Sequence, residues 1–334
     1  MGSLGDIIHT LPAAATLKRR FAEAEIDWVV ERHWLPLVER NPHLAQLHTV
    51  ETRLWRRRLS EAGTWRSLLE SVGKLRRRGY DCALDFQGLI KSAVLARLSG
   101  ARAVLGFHDS ELRERFSALF YTGQSGPRPD GALAHVVYRN LALAAAAGAP
   151  EPVLEFCCQP APEDVERVRA TAPKPGFVLL TPSAGWPAKR WPEEHYAELA
   201  LRIAREAGLP VVVNCGPGEE GIAGRVAQLA AAAPPLLVTA SVGELMALVR
   251  DAALVVGGDT GPVHLAGAMG TPVVAIFGPT DPARNGPLGG ACRVLRGPSA
   301  SNDYSRHASQ YDIRRVSVEE VFRAVVELLP RRRD

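Results

Sequence analysis

The chain has 334 residues, which is enough for two α/β domains of ordinary size. Its formal net charge of +4 is too small to indicate a nucleic-acid-binding protein, although clustered basic residues would suit an anionic small molecule or membrane surface. No apolar run reaches the ~18 residues of a membrane span, and five scattered cysteines without metal-ligand spacing indicate reduced thiols in a cytoplasmic protein.

The first residues present an anomaly. Gly2-Ser3-Leu4-Gly5-Asp6 is typical of a loop that joins a strand to a helix, and residues 7–17 are predicted as that helix. No strand precedes the loop, although the first strand of a doubly wound sheet is normally central. Either the sequence lacks its first strand or another segment takes that position. Asp6 would be held as an anion by the helix dipole, which suits a base, while helix capping is an equal alternative.

The remainder of the first half alternates between apolar strand-like runs and helical periodicity. Strands are predicted at residues 26–30, 82–86 and 103–107, and helices at 65–78, 89–98 and 132–147. Four arginines fall within residues 53–58, in a predicted connection. Guanidinium groups suit bidentate contact with phosphate or carboxylate, although a solvated charge run is the commoner interpretation.

Further polar candidates follow the predicted strand 82–86. Gln87 and Lys91 lie where that strand ends and a helix begins, so both could face a ligand. Arg113, His135 and Arg139 are additional candidates, which also fit an ordinary surface role.

A second α/β series begins after a Pro-rich and charged segment, residues 157–176. Strands are predicted at 177–181, 210–214, 236–240, 253–256 and 272–277, with helices at 192–207 and 316–329. The alternation predicts parallel sheets. We therefore expect two doubly wound domains with ligands in a cleft between them.

The most informative segment of this second half is Gly257-Gly258-Asp259-Thr260-Gly261-Pro262-Val263-His264. It lies between a predicted strand and a predicted helix, where free backbone N–H groups can bind a phosphate and small residues let it approach. Thr260 and His264 would add side-chain donors. A tight turn without a ligand is the alternative.

Two other strand ends carry charge. Lys189 and Arg190 follow strand 177–181 and precede a helix, which suits a diphosphate, although a solvated basic loop is the alternative. Glu219 follows strand 210–214 and could accept hydrogen bonds from ribose hydroxyls, or simply begin a helix.

Taken in order, these motifs resemble glycosyltransferase family 9, the ADP-heptose:lipopolysaccharide heptosyltransferases. The resemblance rests on Ser3 to Pro12, Asp85 to Ser92, Lys189-Arg190-Trp191-Pro192, Asp259 to His264 and Phe277 to Pro282. The segment from Gln87 to Ser92 is similar to the heptosyltransferase I branch, which acts on the inner Kdo.

The resemblance implies the GT-B fold, in which two Rossmann-like domains face a central cleft. Residues 1–158 would form the acceptor domain, without its first strand, and residues 174–334 the ADP-sugar domain, with a last helix that could pack back on the first domain. The implied reaction is inverting transfer of L-glycero-D-manno-heptose from ADP-heptose to the Kdo of Kdo2-lipid A. No acidic metal-binding pair of the Asp-x-Asp type is evident, so no metal is assigned, and no cofactor is expected because ADP-heptose is a substrate. The resemblance further implies a peripheral enzyme on the cytoplasmic face of the inner membrane of a Gram-negative bacterium.

The resemblance also assigns roles to residues. Asp6 would be the general base, and Lys189 would stabilise the departing diphosphate. The donor side would comprise Thr181, Lys189, Glu219, Asp259, Thr260, Gly261 and His264. The acceptor side would comprise Arg56, Arg57, Arg58, Gln87, Lys91, Arg113, His135 and Arg139. Two alternatives remain: a sugar-nucleotide epimerase of the same fold, and a non-catalytic peripheral protein that binds lipid A.

Overall fold

The computed structural model describes residues 2–58, 60–127, 135–298, 302–303 and 311–329. The chain divides into two compact units, residues 1–156 and 157–334. The predicted first domain ended two residues later, at 158. Across the described ranges, no helix is both long and apolar enough to cross a bilayer.

Unit 1 is an α/β unit whose strands are all paired in parallel. Its strands are β1 (Asp27–Glu31), β2 (Gln46–Val50), β3 (Cys82–Leu84), β4 (Ala103–Gly106) and β5 (Gly123–Gln124). Its α-helices are α1 (Leu4–Ile8), α2 (Leu11–Arg20), α3 (Thr52–Arg57), α4 (Ala62–Arg78), α5 (Ile90–Leu98) and α6 (Val136–Ala146). The predicted strands at 26–30, 82–86 and 103–107 are thus confirmed to within two residues at each end.

The start of unit 1 differs from the prediction. Helix α1 includes the last three residues of the segment predicted as a loop, and the single helix predicted for 7–17 is divided between α1 and α2. The Ser3 hydroxyl accepts from the Asp6 N–H, and the Asp6 carboxylate accepts from the Ser3 N–H. This capping box places the N-cap of α1 at Ser3, three residues before Asp6. Pro12 then starts α2, because a proline fits the first helical turn.

The strands of unit 1 form two separate sheets, β1-β2 and β3-β4-β5. Between β1 and β3 lies a cavity of about 730 Å³, which is also lined by residues of α1 and α2. In the described part of unit 1, no strand joins the two sheets, so no other described segment takes the position of the expected first strand.

The sheet of unit 2 has six strands and is larger and more deeply buried than either sheet of unit 1. Its strands are β6 (Phe177–Thr181), β7 (Val211–Cys215), β8 (Leu236–Thr239), β9 (Ala252–Gly258), β10 (Val273–Phe277) and β11 (Cys292–Arg296). Its helices are α7 (Pro162–Thr171), α8 (Glu193–Arg202), α9 (Glu220–Leu229), α10 (Val242–Asp251), α11 (Gly261–Met269), α12 (Pro282–Asn285), α13 (Tyr311–Arg314) and α14 (Val318–Leu328). Every residue of β6, β7 and β10 is buried, as expected for strands covered by helices on both faces.

The spatial order of this sheet is β11-β10-β9-β6-β7-β8, with every neighbouring pair parallel. Counted within the unit, this is the Rossmann order 3-2-1-4-5-6, whose direction reverses between β6 and β9. The last helix, α14, packs against α8, β9, β10 and β11, and buries Val321 and Val325 in the core of unit 2.

Several elements were not anticipated from the sequence. β2, β5 and β11 are additional strands, and the arginine-rich segment predicted as a connection contains helix α3. The segment predicted as the domain junction contains α7, which packs on α10 within unit 2. Of these, β11 carries a weaker apolar pattern, since it is an edge strand whose residues are intermediate or exposed.

Candidate functional site

The predicted donor residues of unit 2 gather where the strand order reverses. Thr181 ends β6 and is paired in register with Gly257 of β9. The Thr181 hydroxyl is buried and donates to the carbonyl of Val256, at 3.3 Å. Ligands of doubly wound sheets bind beyond the carboxyl ends of the strands at this reversal. The location therefore agrees with a nucleotide site.

Lys189 and Asp259 form an ion pair at this edge. The Lys189 ammonium lies 2.5 Å from Asp259 Oδ2, and the aspartate side chain is only 2% exposed. The same carboxylate accepts from the Thr280 hydroxyl at 2.7 Å and lies 3.1 Å from His264 Nε2. Burial alone would raise the pKa of Asp259, but His264 and Lys189 outweigh it and hold the pKa well below its ordinary value.

This geometry gives Asp259 a structural task, and its predicted contact with the donor stays a prediction. Its two oxygens are already used by three neighbouring side chains, so it holds those side chains in place. An ammonium has three donors, and Asp259 takes at most two of them through its carboxylate and backbone oxygens. Lys189 can therefore still donate to an anion. Its ammonium also lies 4.9 Å from the centre of the Trp186 ring.

Glycine allows the Lys189 loop to lie against the strand ends. A Cβ atom at Gly258 would lie 2.5 Å from the carbonyl oxygen of Lys189. One at Gly278 would lie equally close to the carbonyl oxygen of Ala188. Neither position can carry a side chain unless the loop moves. The two glycines at the ends of β9 and β10 thus determine where the ammonium of Lys189 can be placed.

The turn after β9 leads into helix α11, as predicted. Thr260 is the N-cap and Gly261 the first helical residue, and the N-cap makes no side-chain hydrogen bond to the helix. The Thr260 hydroxyl donates instead to the carbonyl of Gly258, at 3.2 Å. The positive end of α11 and the Lys189 ammonium are therefore both available at this edge to an anionic group.

Glu219 lies beyond β7, the strand next to β6. It is the N-cap of α9, and its carboxylate accepts from the Gly216 N–H at 3.3 Å. The structure thus agrees with the helix-start alternative. The predicted contact with a ribose stays a prediction.

In unit 1, the predicted base is paired with a predicted acceptor residue. Asp6 Oδ1 accepts from the Arg113 guanidinium at 2.8 Å, while Oδ2 accepts from the Ser3 N–H at 2.9 Å. Burial would raise the pKa of Asp6, but Arg113 and Ser3 outweigh it, so the pKa lies below its ordinary value. The carboxylate is 30% exposed and the guanidinium 47% exposed, so both can reach a ligand.

Gln87 lies close to Asp6, since both side chains approach Gly2. A Cβ atom at Gly2 would lie 2.7 Å from Asp6 Oδ2 and 2.8 Å from Gln87 Nε2. The Gln87 N–H donates to Asp85, a buried carboxylate that also accepts from Ser92 and Tyr121. Burial raises the pKa of Asp85 despite these hydrogen bonds. Asp85 thus orders the loop that carries Gln87.

Two other basic candidates of unit 1, Arg58 and Lys91, have exposed side chains. Arg58 is exposed and lies 3.6 Å from Glu61. Lys91 donates to the Thr52 hydroxyl at 3.5 Å, next to the start of α3. Arg56 and Arg57 lie in α3, but their side chains fall outside the described set. Acceptor binding by these residues stays a prediction.

His135 and Arg139 do not have the surface environment that their sequence context suggested. Both are buried. His135 caps α6 through its Nδ1 atom, and the Arg139 guanidinium lies 3.7 Å from the centre of the Phe107 ring and 3.4 Å from Glu111. These contacts hold parts of unit 1 together, and acceptor binding by His135 and Arg139 stays a prediction.

Two residues of these networks were missed. Thr280 lies in the segment Phe277 to Pro282, which contributes to the resemblance, so its position was the available signal. Tyr121 had no signal, because its role depends on a hydrogen bond to a residue 36 positions away.

Comparisons with known proteins support the resemblance. The sequence profile of Glycosyltransferase family 9 (heptosyltransferase) matches residues 69–311. Lipopolysaccharide heptosyltransferase 1 from Pseudomonas aeruginosa is 34% identical over 296 residues, which cover 86% of this chain and 79% of that protein. The enzyme of the same name from Escherichia coli K12 is 28% identical and covers 89% and 91% of the two chains.

Solved structures agree with this assignment. The E. coli heptosyltransferase WaaC with ADP superimposes with a TM-score of 0.81 at 26% identity, covering 98% of both chains. The E. coli ADP-heptose lps heptosyltransferase II shares the fold, with a TM-score of 0.77 over 98% and 96% of the chains. These matches confirm the predicted GT-B class. The chain belongs to glycosyltransferase family 9, the heptosyltransferase family, and is a glycosyltransferase.

Proposed function

We propose that this protein transfers L-glycero-D-manno-heptose from ADP-heptose to the Kdo of Kdo2-lipid A, with inversion at the anomeric carbon. The observation that carries the donor assignment is the Lys189–Asp259 pair beside the open N-terminus of α11. Two similar structures, of a heptosyltransferase with ADP and with ADP-2-deoxy-2-fluoro heptose, support an ADP-sugar as the donor.

On the donor side, the diphosphate would bind between the Lys189 ammonium and the N–H groups at Thr260 and Gly261. As the bond to the anomeric carbon breaks, negative charge increases on the phosphate oxygens. A preorganised cation and helix N-terminus stabilise that charge without further rearrangement. Asp259 is the positioning residue, because it holds the Lys189 ammonium from the protein side. Glu219 would accept a hydrogen bond from the ribose.

On the acceptor side, Asp6 would remove the proton from the attacking Kdo hydroxyl. The hydroxyl oxygen forms the new bond to the anomeric carbon as the bond to the diphosphate breaks, so one displacement inverts the configuration. No covalent enzyme intermediate is needed. The lowered pKa keeps Asp6 ionised at neutral pH, and its side chain is 30% exposed, so the hydroxyl would approach a carboxylate oxygen that also accepts from Arg113 or Ser3.

The acceptor carries phosphates and carboxylates, for which guanidinium groups are suited. Arg56, Arg57, Arg58 and Arg113 would supply them, with Gln87 and Lys91 nearby in unit 1. Such an acceptor is embedded in a membrane, so we propose that the enzyme acts as a peripheral protein at the cytoplasmic face of the inner membrane.

The deciding experiment is a product assay with ADP-heptose and Kdo2-lipid A. Mass spectrometry of the lipid should detect addition of one heptose, with stoichiometric release of ADP. NMR of the product should give an anomeric configuration opposite to that of the donor. An epimerase would change the sugar of the nucleotide without modifying the lipid. Absence of a glycosylated lipid, with intact ADP binding, would reject the proposed acceptor.

A further inference from the structure

Helix α4 carries apolar side chains on two faces. One face packs on β2 and α5, where Val72 and Leu75 are buried with Val50 and Leu95. Trp65 and Leu69 lie one helical turn apart on another face. Both are large and apolar, yet Trp65 is 50% exposed and Leu69 is 68% exposed. Burial of the first face explains why α4 forms. It does not explain why the second face carries large apolar side chains.

Basic residues flank the exposed pair. Arg66, Lys74 and Arg77 line the same shallow groove as Trp65 and Leu69. We call these five residues the α4 surface. Helix α4 contains five basic residues and a single acidic one, Glu70. An exposed apolar stripe edged with Lys and Arg is the pattern of a helix that lies in a membrane interface.

The most exposed large apolar side chains of the described residues lie mainly in unit 1. Among the described residues, five large apolar side chains are at least half exposed, and four of them are Trp65, Leu69, Phe116 and Leu119. The last two lie on the short 3-10 helix Arg115–Phe120, which packs on α5, as α4 also does. The fifth, Val326, is isolated on α14 of unit 2.

We propose that the α4 surface docks unit 1 on a bilayer that contains anionic lipids. Insertion of Trp65 and Leu69 among the acyl chains removes apolar area from water, while Arg66, Lys74 and Arg77 lie at the level of the headgroups. The positive charge selects an anionic bilayer over a protein surface of mixed charge. The inference rests on the proposed function in one respect, namely that the acceptor is a membrane lipid.

Vesicle co-sedimentation tests this without acceptor or sugar nucleotide. The full chain should bind vesicles of phosphatidylcholine with phosphatidylglycerol, bind vesicles of phosphatidylcholine alone weakly, and dissociate at high salt. Trp65→Ser with Leu69→Ser should lower the partition coefficient at least tenfold. Lys74→Ser with Arg77→Ser should lower it about fivefold per cation, and only on anionic vesicles.

The matched control is Val326→Ser with Arg323→Ser on α14, which removes an equally exposed apolar residue and a cation from unit 2. This control should bind as the parent does. Leu69→Ser alone should give an intermediate loss, and thermal melting identifies any variant that unfolds. Equal binding by the Trp65/Leu69 variant and the parent would overturn the proposal. Sedimentation that gives a dimeric parent and a monomeric Trp65/Leu69 variant would overturn it too, because the surface would then join two copies of the chain.

Failure of this inference can be distinguished from failure of the proposed function. Heptose transfer to detergent-solubilised Kdo2-lipid A should be unchanged in the α4 variants, since detergent removes the need for docking. Transfer by a parent protein that does not bind vesicles would reject only the docking surface. Vesicle binding by a parent that transfers no heptose would reject only the proposed reaction.

Discussion

The carboxylate of Asp6 and the guanidinium of Arg113 lie 2.8 Å apart, although 107 positions separate them in the chain. Asp6 caps the first helix and Arg113 lies in a loop after β4. The pair joins the proposed base to a residue that is proposed to bind the acceptor. An anionic group of the acceptor that binds Arg113 would therefore change the charge that Asp6 experiences.

Replacement of Asp6 by Asn should lower kcat by at least ~10²-fold, because the amide cannot accept the proton of the acceptor hydroxyl. The affinity for ADP should be almost unchanged, since the donor is assigned to unit 2. Steady-state kinetics and ADP titration measure the two effects. Near-normal turnover would reject Asp6 as the base, provided that the variant melts as the parent does.

Replacement of Arg113 by Ala should move the acidic limb of the pH profile of kcat/KM to higher pH. Arg113 lowers the pKa of Asp6, so its removal raises that pKa and Asp6 becomes protonated at a higher pH. Arg115→Ala is the control, as it removes a neighbouring exposed cation. If the acidic limb of the profile is unchanged in the Arg113 variant and only KM for the acceptor rises, Arg113 binds the acceptor without affecting the pKa of Asp6.

Replacement of Lys189 by Ala should weaken ADP binding and slow transfer together. Loss of a charged hydrogen bond is expected to cost roughly 1.5–3 kcal/mol. Calorimetric titration with ADP gives the affinity, and Lys174→Ala removes an exposed lysine of the same unit as a control. Parental affinity in the Lys189 variant would contradict its role at the diphosphate.

Replacement of Asp259 by Asn should destabilise the protein near neutral pH by roughly 3–5 kcal/mol, because Lys189 loses its buried counter-ion. The pKa of Asp259 is lower in the folded protein than its ordinary 3.8. Its stabilising contribution is therefore complete above about pH 4 and disappears as the pH falls through the folded value. Thermal melting as a function of pH should show the two proteins converging in strong acid. Glu206→Gln, which breaks an exposed pair, should leave Tm almost unchanged.

Replacement of Arg56, Arg57 and Arg58 by Ser should raise KM for the acceptor and flatten its dependence on salt, because exposed cations attract anions through screened charge. KM for ADP-heptose should stay nearly constant. Arg19→Ser with Arg20→Ser removes exposed cations from the end of α2 and serves as the control. Equal losses for donor and acceptor would indicate damage to folding instead.

Local patterns determined much of unit 2. The runs at β6, β9 and β10 are continuously apolar and end at or just before a glycine or a proline, so their assignment needed no tertiary information. The glycine turn after β9 likewise indicated an anion site, because its residue types permit close approach of a ligand to the backbone. The order of these motifs along the chain was sufficient to identify the family.

Other features depended on contacts that no local pattern encodes. The pairing of Asp6 with Arg113, and the use of Asp259 to hold Lys189, Thr280 and His264, arise only when distant loops meet. Burial of Arg139 on Phe107 was likewise invisible, since an arginine in a helix has the same local signal whether it faces water or a ring. The sequence by itself thus determined the strands, the anion-binding turn and the family. Only the tertiary structure decided which charges are paired, because pairing depends on separations in space that periodicity does not report.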